Sequence, residues 1–125
     1  MEILKTPGFH NIFQLECFDR EFRALFGKGK SDLKRYEKWL TRRLRILDAN
    51  GKQATDGTHF EKIDTDVYSI RLPESKHNPR ILYSFIINDN TVILICAFLE
   101  NNSSDYEKFK KKALYRINLI KEEYG

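Results

Sequence analysis

VYSIRLPESKHNPRILYSFIINDNTVILICAFLENNSSDYEKFKKK, residues 67–112, is the stretch on which the fold turns. Its third segment, residues 91–99 (TVILICAFL), is an unbroken apolar run with β-branched Val92, Ile93 and Ile95. Bounded by turn residues and too short to cross a bilayer, it reads as a central strand buried on both faces. Residues 80–87 are rich in β-branched and aromatic side chains, and Asn88-Asp89-Asn90 tolerates left-handed backbone, so the two segments form a hairpin. Residues 67–72 alternate, with Tyr68, Ile70 and Leu72 on one face and Val67, Ser69 and Arg71 on the other. That pattern predicts one face on a core and one in water. Pro73 and Pro79 fence the connection that follows, since neither can donate to a ladder.

Working outward, residues 9–15 (FHNIFQL) predict a first strand, and residues 18–26 a short amphipathic helix ended by Gly27 and Gly29. Ser31 or Asp32 caps a longer helix in which Leu33, Tyr36, Leu40, Leu44 and Leu47 recur at helical spacing until Asn50-Gly51. Its other side carries Lys34, Arg35, Lys38, Arg42 and Arg45. Residues 52–58 read as a polar loop and residues 60–63 as an extended lead-in. Ser104 and Glu107 make a capping box for a closing helix with the stripe Tyr106, Phe109, Ala113, Ile117 and Ile120, and with Lys108, Lys111 and Lys112 on its wet side. The expected fold is α+β: a mainly antiparallel four-stranded sheet (N-terminal strand plus three-strand meander), two N-terminal helices and a C-terminal helix. The helices should lie on one sheet face and leave the other open.

A chain of 125 residues with 41% hydrophobic and 13% aromatic content supports one domain over residues 1–125 with a packed core. Its two cysteines, Cys17 and Cys96, do not suggest a disulfide framework. With no signal-peptide pattern and no run of about twenty apolar residues, a cytoplasmic protein without a membrane partner is expected. The formal charge of +4 is concentrated in LKRYEKWLTRRLR and KFKKKALYR, which suggests a polyanionic or acidic partner. The plainer alternative is that these cations solubilise two helix faces.

There is no CxxC pair, HExxH, P-loop or GxGxxG, so no metal or cofactor is expected. His10, His59 and His77 have no matched nucleophile; His77 alone should lie near an edge of the open sheet face. Arg71, Arg80 and Tyr106 are more informative, standing at the end of one strand, the start of the next and the first turn of the last helix. An arginine fork suits phosphate, and two of them can stabilise a pentavalent transition state without a metal. A tyrosine can stack on a base or act through its hydroxyl. The two arginines share a face only if they pair opposite one another, because a slip of one residue separates them.

The pieces YSIRL, RILYSF, VILICAFLE and ENNSSDYEKFKKKAL together resemble the RelE/HigB-like toxins of type II toxin–antitoxin systems, within the RelE/ParE superfamily and including its phage-derived toxin-like branch. The resemblance spans residues 60–114. It implies a metal-independent mRNA endoribonuclease, often working on the ribosome, held by a cognate antitoxin protein. Arg71, Arg80 and Tyr106 match the family's basic and tyrosine positions, and the acid–base group would be Glu100 or His77, with Glu100 taken as base. Lys62, His77, Asn102, Lys108, Lys111 and Lys112 would contact RNA, and the last-helix lysines and the basic ridge would grip RNA backbone or ribosomal RNA. Ser69 stands where RelE has a second lysine, Glu100-Asn101-Asn102 replaces a basic stretch, and Cys96-Ala97 lies where HigB-like members place a histidine. Two alternatives stand beside this: a ParE-like topoisomerase inhibitor, and a non-catalytic phage protein that binds nucleic acid or an acidic partner.

Overall fold

The computed structural model describes residues 1–28, 30–55, 58–72 and 77–124. In order these form β1 (Ile3–Lys5), β2 (Ile12–Leu15), α1 (Phe18–Ala24), α2 (Lys30–Asn50), a 3-10 turn (Gly51–Gln53), β3 (Phe60–Asp64), β4 (Val67–Arg71), β5 (Pro79–Ser84), β6 (Val92–Leu99) and α3 (Ser103–Tyr124). Pro73, Gly29 and residues 56–57 of the expected polar loop lie outside the described residues. None of the described helices is long and apolar enough to cross a membrane.

The six strands make one mixed sheet, ordered β1-β2-β6-β5-β4-β3. β2 runs parallel to β6, and every other neighbouring pair is antiparallel. This corrects the four-stranded, mainly antiparallel sheet expected from the sequence. Both extra strands are edges, where a strand pairs on one side only and its hydrophobic signal is weak. β1 folds back on β2 with Ile3 opposite Leu15, and β3, expected as a mere lead-in, pairs with β4 from Phe60 opposite Ile70. The parallel pairing sets Ile12 against Val92, a long-range contact that no local turn specifies.

The expectation of one open sheet face is also overturned. On one side Ile70, Ile81, Tyr83 and Leu94 pack with Tyr36, Trp39, Leu40, Leu44 and Leu47 of α2. On the other, Val67, Leu82, Ile93, Ile95 and Phe98 pack with Ala113, Ile117 and Ile120 of α3. A central strand apolar on both faces, as β6 is, requires cover on both. Ser69, assigned to a watery face by alternation, is fully buried beneath this second layer.

Local chemistry sets the element ends. The Asp48 carboxylate accepts from the His10 and Asn11 amides at 3.2 and 2.6 Å, so the strand expected from residue 9 begins only at Ile12. Asn90 N donates to Asn88 Oδ1 at 2.9 Å and closes the β5–β6 turn. At the start of α3 the cap is Asn102 rather than Ser104: Asn102 Oδ1 accepts from Asp105 N, and Asp105 Oδ2 accepts from Asn101 N, both at 3.1 Å. α1 is anchored across the molecule. Glu21 accepts a two-pronged bond from Arg116 of α3 at 2.8 and 2.5 Å, and Arg116 also donates to Ile95 O of β6 at 2.9 Å.

Candidate functional site

The register of β4 and β5 sets Arg71 opposite Arg80, and Arg80 opposite Phe98 of β6. Both arginines therefore emerge on the α3 side. Arg80 is 7% exposed; its Nε is ion-paired with Glu100 Oε2, its Nη1 lies 3.5 Å from Ser69 Oγ, and its guanidinium carbon sits 4.8 Å from the centre of the Tyr106 ring. The main chain holds Glu100 in turn. Its N–H donates to Asn78 O, and Asn78 Nδ2 donates to Glu100 O, both at 3.1 Å. Asn78 adopts φ +45°, a left-handed conformation that asparagine tolerates, immediately before Pro79 starts β5. Arg71 is tied down by donation from Nε to Thr58 O at 2.8 Å.

The result is a cleft with two unlike lobes around the Arg80–Glu100 pair. One is lined by Arg71, Asn78, Asn101, Asn102 and Ser103, and suits an anion. The other is lined by Glu61, Ser104, Tyr106 and Glu107. Burial pushes the Tyr106 hydroxyl above its ordinary pKa; the Arg80 charge opposes this, while Glu61 and Glu100 add to it. The phenol is thus protonated at neutral pH and able to donate.

Of the residues singled out by sequence, Arg71, Arg80, Glu100 and Tyr106 come together here. Asn102 also lines the cleft, with its Oδ1 committed to the α3 cap. Lys62 does not join them. It pairs with Tyr68, its Nζ 5.9 Å from that ring, on the α2 side of the sheet. His77, far from flanking an open face, turns to α2: Nε2 lies 2.9 Å from Asp32 Oδ2, its N–H donates to Tyr36 Oη at 3.3 Å, and its ring meets Phe26 and Tyr36 edge-on. Lys108 and Lys112 flank the Phe109 ring, Lys112 also approaches Glu21 at 3.7 Å, and Lys111 is exposed.

Asn78 and Glu61 were missed as cleft residues, whereas Ser69, fully buried, lines neither lobe and touches the site only through Arg80. The Asn78-Pro79 step is a readable turn signal. Glu61 becomes visible only once residues 60–64 are a strand and its partner is Ser69. Among the described residues, no three His, Cys, Asp or Glu side chains gather where a metal ion could be held. No protein-family model, curated protein or solved structure matches the chain, so the toxin resemblance rests on the quoted residues alone.

Proposed function

We propose that this protein is a metal-independent endoribonuclease, the toxin of a toxin–antitoxin pair, acting on mRNA presented by the ribosome and held in check by an antitoxin protein. The observation that carries the reading is the meeting of Arg71, Arg80, Glu100 and Tyr106 in one cleft from four separate places in the chain. In this reading Glu100 takes the proton of a ribose 2′-hydroxyl, and the O2′–P bond forms as the P–O5′ bond breaks. Tyr106 delivers a proton to O5′, leaving a cyclic phosphate and a 5′-hydroxyl, and solvent restores both groups. Arg71 and Arg80 hold the phosphate and offset the charge that develops on it.

The test is inducible expression in bacteria with mRNA 5′ ends mapped within minutes, beside the Arg80→Lys and Glu100→Gln proteins. New ends that vanish in both folded variants are expected, since lysine keeps the charge of Arg80 but not its fork. Their phase relative to codons reports on the ribosome. The burial of Arg80 and its neutralisation by Glu100 favour a second reading, in which the pair is structural and the protein acts by binding alone. Growth inhibition with intact mRNA, unchanged in Arg80→Lys, would establish that reading and overturn the first.

A further inference from the structure

The face of α2 turned away from the sheet carries Lys34, Lys38, Arg42 and Arg45, all exposed. At roughly 3.6 residues per turn they fall within an arc of about 80°, opposite the buried stripe of Tyr36, Leu40, Leu44 and Leu47, in a row about 16 Å long. Among the described residues none of the four enters an ion pair. On α3 the cations divide: Lys108 and Lys111 enter no ion pair among the described residues, and the others do. Lys110, Lys112 and Lys121 are drawn to Asp64 and Glu107, to Glu21 and to Asp66. Arg35, next to the row, is held by Asp32 and stacked over the Tyr36 ring. A shallow depression beside the row is lined by Lys34, Arg35, Glu37, Lys38 and Thr41, and Glu37 is its single carboxylate.

Solubility needs charge but not charge of one sign, and like charges one turn apart cost a helix stability. A row kept at that cost fits a polyanion. We propose that this ridge binds the phosphate backbone of RNA as a second surface, separate from the cleft, which lies on the opposite sheet face beside α3. The ridge starts at the end of α2 where Asp32 meets His77, the chain neighbour of the cleft residue Asn78. Lys34 is the first cation of the row from that end. The inference deepens the ribonuclease reading by naming what holds the substrate outside the cleft.

The experiment uses the full chain and a fluorescent single-stranded 2′-O-methyl RNA, which has no free 2′-hydroxyl to attack, with affinity measured by anisotropy across a salt series. Each single-strand phosphate contact contributes about 0.7 to the slope of log K against log salt, so Lys34→Gln/Lys38→Gln/Arg42→Gln/Arg45→Gln should lower that slope by about 2.8. The four side chains are exposed, and circular dichroism checks that the fold is kept. An unchanged slope overturns the proposal, as does a wild-type protein that ignores RNA and binds anionic vesicles or an acidic peptide. Whether mRNA is cut in cells, read from its 5′ ends on expression of the wild-type chain, reports on the cleft by itself, whether or not the ribosome must present the substrate. Cut mRNA with an unchanged slope sinks the ridge alone, whereas a lowered slope with mRNA left intact in cells sinks the nuclease reading alone.

Discussion

Arg71 and Arg80 face one another across adjacent antiparallel strands, and among the described residues Arg80, unlike Arg71, is ion-paired with a carboxylate, that of Glu100. Like charges directly opposite on a sheet repel, so Glu100 offsets a cost that the register itself creates. Removing Arg80 leaves the half-buried Glu100 without its partner. Arg80→Ala should destabilise the protein by about 1–3 kcal/mol, and Arg80→Ala combined with Glu100→Gln by less than the sum of the single changes. Urea unfolding of the four proteins of this double-mutant cycle measures the coupling; strict additivity would show that the pair is not coupled.

Acid stability should depend on Glu21. Burial alone would raise its pKa, but the hydrogen bond and charge of Arg116, with Lys112 beyond, outweigh burial and hold it below the ordinary carboxylate value of 4.5. A carboxyl depressed on folding contributes stability that is complete above its unfolded pKa and is lost as pH falls through the folded one. Unfolding free energy should therefore drop below about pH 4.5 in the native protein, and Glu21→Gln should be less stable near neutrality and flatter across that acid range. Equal acid slopes for the two proteins would remove Glu21 from the account.

Gly51 ends α2 at φ +56°, and a Cβ there would lie 2.7 Å from Asp89 O, a backbone atom of the β5–β6 turn. Both the dihedral and the clash oppose any side chain. Gly51→Ala should cost about 1–3 kcal/mol, read as a lowered thermal midpoint. A midpoint equal to that of the parent would mean that the turn moves aside freely.

Asn102 tests whether a cleft residue works for RNA or for the helix. Asn102→Ala should lose about 1 kcal/mol of stability, and Asn102→Asp, which keeps an oxygen for the Asp105 amide, should recover most of it. If Asn102→Ala leaves unfolding unchanged, the cap is not worth what its geometry suggests.

Much of this molecule was legible in its residues because the relevant physics is local. The 3.6-residue spacing of Tyr36, Leu40, Leu44 and Leu47 marked α2, and all four are buried. The apolar run in residues 91–99 marked β6, and every residue from Val92 to Phe98 is buried. Arg71, Arg80 and Tyr106 stood out because arginine forks and a phenol at strand and helix ends have a chemistry that does not depend on knowing the fold. His77 misled for the same reason. Its ring looked available in a loop, and only the packing of Asp32, Tyr36 and Phe26 around it reveals where it is held.

The sequence by itself determined which segments are helix and which form the β4–β5–β6 meander, because periodicity and turn chemistry act over a few residues. Tertiary structure alone decided that α2 and α3 cover opposite faces of the sheet, that β2 lies parallel to β6, and that Arg71 stands opposite Arg80 rather than one residue out of step. Those outcomes depend on contacts between residues far apart in the chain. There the choice is made by which surfaces bury most completely together, and no short stretch of residues carries that information.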